Sequence, residues 1–373
     1  MKKIISIALA LFMVAVMLPV MAMAEEVTTA ENLQAAVAAG GEVTLGADIT
    51  ASITIPKDKT VTLNLNGKTL TNEADMDTIT VALGGTLTIE GTGTVDNDSH
   101  GRAAVYNNGT VTINGGTYTR SAEKGTGKDP DSNNGNSWYT ICNHGVMTVN
   151  AGVTVTNTGT FSSVFENGYQ SYTGNNERSN YVAGTNNAAP ALTINGGTFE
   201  GGKITIKNDD GGILKIGGGR FTNNGNRVVF NANKAEINGG EFYCPATYFG
   251  NEIAVDTLYA DGGQNAGQLT ITGGTFDGKV TQSNGAVTTV SGGTFKKGVD
   301  KSYIVDGKKL DANGNVVPDT ITIIVPSEGG STTTTPSTDN TKNPSTGAND
   351  FVGVAAAMAV VSLLGAAAVI RKK

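Results

Sequence analysis

The chain is poor in the residues that usually announce chemistry. Of its 373 residues only two are cysteine, two histidine and one tryptophan, and charged residues make up 16%. The two cysteines, Cys142 and Cys244, stand far apart and outside any metal-ligand spacing. That argues against a metal site; an exported chain could join the two in a disulfide, and two separate thiols are the reading preferred. Basic clusters are missing too. Lys and Arg number 26 against 33 Asp and Glu, a net charge of −7. An acidic surface of that kind excludes nucleic acid and anionic membrane as partners. What the chain has in excess is glycine, 51 residues, about twice the usual ~7%.

Long apolar runs occur only at the two ends. Lys2 and Lys3 precede an apolar stretch over residues 4–20, and Ala22-Met23-Ala24 offers small residues to a signal peptidase. This reads as a secretory signal over residues 1–24, cut between Ala24 and Glu25. At the other end Asn343-Pro344-Ser345-Thr346-Gly347 is followed by an uncharged apolar run over 351–370 and then by Arg371-Lys372-Lys373. Twenty residues at ~1.5 Å rise span roughly 30 Å, the thickness of a bilayer core, so a C-terminal transmembrane tail is expected. Its terminal cations would stay on the cytoplasmic side. Removing both ends takes away five cations and Asp350 and lowers the net charge from −7 to −11.

Pentapeptide, apolar span and basic end, in that order, resemble the sorting signal of Gram-positive cell-wall proteins (LPxTG-like, here with Asn343 where Leu is commonest). The resemblance implies that a sortase cuts between Thr346 and Gly347 and joins Thr346 to peptidoglycan. A secreted chain anchored to the Gram-positive cell wall follows, held by the membrane only before sorting.

Between the ends one phrase recurs. Thr112-Ile113-Asn114-Gly115-Gly116-Thr117-Tyr118 returns as Thr193-Ile194-Asn195-Gly196-Gly197-Thr198-Phe199, with further copies near 216, 237, 271 and 290. Its apolar residue falls at Ile89, Ile113, Val149, Ile194, Ile216, Ile237, Ile271 and Val290, with the short gaps near 21 residues. The longer gaps read as one unit plus an insertion. An earlier half-unit pairs an apolar dipeptide with Asn-x-Gly, as in Val105-Tyr106-Asn107-Asn108-Gly109 and Ile141-Cys142-Asn143-His144-Gly145. A strand-turn-strand unit this short cannot bury its apolar face alone, so units must stack. A propeller blade needs about 40 residues per repeat, and 21 favours a solenoid.

These units resemble the coils of right-handed parallel β-helices of the pectin-lyase-like kind, over roughly residues 25–300. The fold class expected is therefore all-β. Thr28-Thr29-Ala30-Glu31 has the form of a capping box, and Leu33, Ala36 and Val37 follow at helical spacing. This predicts a short N-terminal capping helix that covers the first open sheet edge. Asp306-Gly307 and Asn313-Gly314 read as hairpin turns of a C-terminal cap. The resulting layout is signal 1–24, β-helix 25–298, hairpin cap 299–325, Ser/Thr/Pro-rich stalk 326–342 and sorting signal 343–373. Eight or nine coils are expected.

His144 and the pair Asp209-Asp210 match a His-Gly and an Asp-Asp pair of related polygalacturonases. The repeat places all three in Asn-x-Gly corners, where Asn, Asp and Gly serve backbone geometry, and the other motifs of that family are missing. Asp96, Asp98, His100 and Arg102 would share one face if extended. Carboxylates beside an arginine resemble the Ca²⁺-assisted elimination site of pectate lyases, which makes Asp96, Asp98 and Arg102 the catalytic set of a rival reading, with Ca²⁺ as its ion. No resident cofactor or metal is otherwise expected. Insertions at 121–138, 166–190 and 245–268 carry aromatics among Gly, Asn and Ser, notably Trp138, Tyr139, Tyr169, Tyr172 and Tyr181. Long loops on a rigid scaffold are where binding resides, and flat rings suit sugar faces, although the same rings can pin loops to the rod. The function expected is a non-catalytic surface protein that binds glycan or host matrix. A purely structural wall component is a third reading.

Overall fold

The computed structural model describes residues 26–121, 138–157, 163–168, 189–209, 211–223, 226–245, 250, 252–258, 267–283 and 285–320. The signal with its Ala24–Glu25 junction, the stalk, the sorting signal and the apolar tail lie outside the described residues. Among the described residues no helix is long and apolar enough to cross a membrane.

The repeat folds into three parallel sheets. One coil shows the plan: Val105–Asn107 lies in sheet C, Thr110–Ile113 in sheet A and Gly116–Thr119 in sheet B. Each strand pairs in parallel with its counterpart one coil away, giving eleven strands in sheet A, ten in B and nine in C. This is the arrangement of a β-helix solenoid. Sheet A exceeds the eight or nine coils expected because the chain from Glu26 onward already contributes strands, the first being Glu26–Val27 against Gly41–Leu45.

Register turns each repeat position into a column. The apolar residue of the phrase forms one continuous line from Ile89 through Ile113, Val149, Ile194, Ile216, Ile237 and Ile271 to Val290, all of it buried. In sheet B the aromatics stack. Phe199, Phe221, Phe242, Phe276 and Phe295 follow one another at 4.8–4.9 Å with their planes within 8° of parallel. That distance is the ~4.8 Å spacing of paired strands. Tyr118 stands apart from this stack because the coil between them carries Val155 at the same position. Its hydroxyl donates to Gly115 O at 3.1 Å instead.

The corner between sheets C and A is not the solvated turn that Asn-x-Gly suggests. Asn107, Asn143, Asn167, Asn208 and Asn231 are fully buried. Each of the first four amides donates to the next amide's oxygen at 2.7–2.8 Å, and all five donate to a backbone carbonyl of the next coil, such as Lys234 O from Asn208 at 3.1 Å. A buried amide is tolerated only when its donors and acceptor are matched, and the in-register ladder matches them coil by coil. The Gly-Gly corner between A and B has steric causes. A Cβ on Gly292 would lie 2.0 Å from Thr272 O of the coil below, and Gly293 adopts φ 106°, where L side chains are strained.

Both ends of the core are covered. The helix Ala30–Ala39 is capped by Thr29, whose hydroxyl accepts from Asn32 N at 3.2 Å. The cap thus sits one residue later than the Thr28/Glu31 box implied. Leu33 and Val37 are buried in the core. At the far end a single hairpin pairs Lys308–Leu310 with Val316–Pro318, and Phe295 N donates to Gly314 O at 2.8 Å. Asp306-Gly307 precedes this hairpin rather than forming a second one.

Two substitutions test the columns. Phe242→Ala should lower stability by about 3–5 kcal/mol, because the rings on both sides lose a face. Asn208→Leu should cost about 1–3 kcal/mol for each ladder group it strands. Denaturant unfolding of the variants checks both, and a loss below about 1 kcal/mol in either would show that its column is not a support.

Candidate functional site

The topology shows where the repeat is interrupted. Residues 120–138 and 158–162 join sheet B to sheet C, and residues 168–190 join sheet C to sheet A. The interruption expected at 245–268 is two connections around the strand Ile253–Thr257, again one on each side of sheet C. The interruption expected from 166 starts after Glu166, which belongs to the strand Ser163–Asn167. Every one of these interruptions therefore borders sheet C.

In sheet C, Val105, Ile141, Phe165, Ile206, Val229 and Val255 belong to the core, as do the ladder asparagines by burial. The residue between each pair points the other way, since strand side chains alternate. That outer column runs Thr80, Tyr106, Cys142, Glu166, Lys207, Phe230, Asp256 and Thr281. Cys142 and Phe230 are buried yet outside the core cluster, as an outer wall beneath cover requires. Along this column the chemistry changes at nearly every coil.

Its middle is a tight polar cluster. Cys142 is 0% exposed, Glu166 2% and His144 5%. His144 Nδ1 lies 2.7 Å from Gly168 O and donates to it, which turns Nε2 toward Glu166 Oε2 at 3.5 Å. The His144 ring also tilts onto Tyr106, centroids 5.0 Å apart. Lys207 ion-pairs with Asp209, donates to the Tyr139 hydroxyl at 3.2 Å and lies 5.9 Å from the Phe230 ring centroid. Arg227 pairs with Asp256 at 2.5 Å, and Thr281 Oγ1 donates to the same carboxylate at 2.8 Å.

Burial sets the protonation of this group. It pushes the Glu166 carboxyl well above the carboxylate range, with Asp209 adding to the shift and Lys207 opposing it. It pushes the Cys142 thiol up, helped by the charges of Glu166 and Asp77. It lowers the His144 imidazole, against the pull of Gly168 O and Asp209, and raises the Tyr106 phenol to about 12. Sulfur, imidazole nitrogen and carboxylate oxygen of Cys142, His144 and Glu166 all fall within 4.8 Å of one another.

Among the residues singled out from sequence, Trp138 and Tyr139 lie at the edge of this wall, rings 6.2 Å apart. Trp138 Nε1 is buried without a hydrogen-bond partner. Tyr169, Tyr172, Tyr181 and Asp210 lie outside the described residues. His144 and Asp209 hold the corner backbone as expected, donating to Asn107 O and Asn167 O at 2.8 Å, but their side chains join the cluster. Asp96 ends a strand of sheet B and accepts from Thr119 and Ser121. The chain is not extended beyond it: it turns about buried Asn97, and Asp98 and Arg102 are exposed. Desolvation raises the carboxyl of half-buried Asp77 in the adjoining coil, against the pull of Ala103 N and the Arg102 charge. Glu166 and Lys207 were missed by sequence reasoning. Aligning Cys142-Asn143-His144-Gly145 with Glu166-Asn167-Gly168 would have put Glu166 on Cys142, as the register does.

A shallow groove of about 800 Å³ runs along the opposite, Gly-Gly corner, with Arg220 and Glu241 as its charged side chains. It carries no aromatic residue. No protein-family model matches the chain, and no curated protein or solved structure matches it either.

The cluster makes stability depend on pH with a definite sign. Glu166 has a folded pKa above its ordinary 4.5, so its contribution is complete below that value and is lost as pH rises toward the folded pKa. His144 has a folded pKa below 6.5, so its contribution is present above 6.5 and is lost as pH falls through the folded value. In chelator-treated protein, Glu166→Gln should therefore raise Tm at neutral pH and flatten its fall above pH 4.5. Thermal melts across pH check this, and an unchanged pH profile would contradict the burial of a carboxyl there.

Proposed function

We propose that the protein is a non-catalytic, cell-wall-displayed binder of a glycan or host-matrix polysaccharide, with the outer wall of sheet C as its binding face. The observation that carries this reading is that every long interruption joins sheet C to a neighbouring sheet, and that the outer column of sheet C mixes aromatic, cationic and acidic groups. Trp138 and Tyr139, half-buried at the edge of the wall, offer flat apolar faces to sugar rings. Lys207, Arg227 and Asp256 offer partners to hydroxyl and carboxylate edges, and the buried indole N–H of Trp138 supplies a donor that the described residues leave unused.

Display rests on the ends of the chain: export through residues 1–24, then sortase transfer at Thr346, with Asn343, Pro344, Ser345 and Gly347 as the recognition sequence and peptidoglycan as acceptor. The stalk over 326–342 spaces the solenoid from the wall. The coils are read as right-handed, pectin-lyase-like turns, in keeping with the strong preference of parallel crossovers for that hand. A Ca²⁺-dependent lyase is the second reading. It rests on Asp98 and Arg102, which stand exposed on the turn that follows Asp96.

A glycan array probed with the secreted chain and its Trp138→Ala variant tests the binding reading. Retention of a glycan, weakened about tenfold by the substitution (~1.4 kcal/mol), is expected. No retained glycan, or binding indifferent to the substitution, counts against it. Incubation with polygalacturonate and Ca²⁺ separates the rival, because ultraviolet absorbance from an unsaturated product would replace the non-catalytic reading.

A further inference from the structure

Two features of the sheet C wall remain unexplained by sugar binding. Glu166 is 98% buried by its 2% exposure, and its Oε2 has no hydrogen-bond partner. A buried, unsatisfied carboxyl oxygen is costly unless a cation or donor meets it. It faces an imidazole whose Nδ1 is committed to Gly168 O, the arrangement in which a histidine presents the Nε2 lone pair to a metal.

We propose that Cys142 Sγ, His144 Nε2 and a Glu166 carboxylate oxygen form a binding site for a borderline-soft divalent transition metal, represented by Zn²⁺. The donor set decides the class of ion. Ca²⁺ takes six to eight oxygen ligands, whereas thiolate, imidazole and a single carboxylate suit Zn²⁺. Zn–S of about 2.3 Å and Zn–N of about 2.0–2.1 Å place tetrahedral donors roughly 3.3–3.6 Å apart. His144 Nε2 and Glu166 Oε2 already stand at 3.5 Å, and all three donors lie within 4.8 Å, so the remaining closure is about 1 Å. Parallel pairing sets the backbone for it. Cys142 and Glu166 are register partners, and His144 lies two residues beyond Cys142.

Charge balances as well. In the bound state a thiolate from Cys142 and a carboxylate from Glu166 neutralise the dication. Without the ion the two groups oppose each other's ionisation; with it the local order inverts, because a coordinated thiol is deprotonated outright. Lys207, Asp209 and Tyr106 surround the set, and the Lys207–Asp209 pair is neutral in sum. Three protein donors leave a four-coordinate ion one position for water or a ligand atom.

The test titrates the full-length chain, reduced and stripped with chelator, with Zn²⁺ and separately with Co²⁺. One equivalent of Zn²⁺ is expected, with proton release, a higher Tm and a thiolate-to-Co²⁺ charge-transfer absorption. Glu166→Gln is nearly isosteric and removes a buried carboxyl, so it should fold. Its Zn²⁺ affinity should fall by at least the 10–100-fold that loss of an outer-sphere hydrogen bond costs. Cys142→Ser should abolish the charge-transfer band; if that variant fails to fold, the band in the unsubstituted chain decides. Substoichiometric Zn²⁺, no thiolate band, or equal affinity in Glu166→Gln would each overturn the proposal. None of these readouts depends on glycan binding, so the two proposals stand or fall separately.

Discussion

The whole structure depends on in-register pairing of each coil with the next. Among the described residues every strand of the three sheets pairs in parallel with its counterpart one turn away, and an antiparallel bridge joins Thr294 to Asn315 of the end cap. A coil cannot slip by one residue without moving its apolar set to the outside, and here a slip would fail in all three sheets at once. Register therefore converts repetition in sequence into columns in space. It also demands that whatever stands at a position tolerate a copy of itself ~4.8 Å away.

Residues that meet that demand are those whose self-contact is favourable. Phenylalanine stacks face to face along sheet B, and asparagine, donor and acceptor in one side chain, hydrogen-bonds to its own copy along the corner of C and A. Charged residues do not meet it, since like charges in register repel. The outer column of sheet C accordingly never repeats a charge at adjoining coils: Glu166 is followed by Lys207, then Phe230, then Asp256. That column brings a buried acid and a thiol together beside an imidazole.

Much of the scaffold was legible because one apolar position marked each coil. The line from Ile89 to Val290 needs only the repeat to be seen, and so does the stack from Phe199 to Phe295. The first asparagine of Asn-x-Gly was harder. Asparagine suits both a solvated turn and a buried ladder, and a single copy does not distinguish them; five copies at one register position do. The N-cap slipped by one residue because Thr28 and Thr29 are adjacent and either can cap. The Cys142–His144–Glu166 group was least legible. Its members come from two coils, and the signal was hidden by treating Glu166 as the start of an insertion rather than the end of a strand. Trp138 and Tyr139 were found by their type, not by any pattern that named the wall beneath them.

We place binding on the outer wall of sheet C, on a scaffold fixed by register. Hydrogen exchange followed by mass spectrometry, with and without a glycan retained on the array, tests it most directly. Added protection should concentrate in Tyr139–Asn143, Ser163–Asn167, Ile204–Asn208 and Arg227–Asn231, with the sheet A strands unchanged. Protection that falls instead along the Gly-Gly corner, at residues 197, 219, 240, 274 and 293, would contradict the claim.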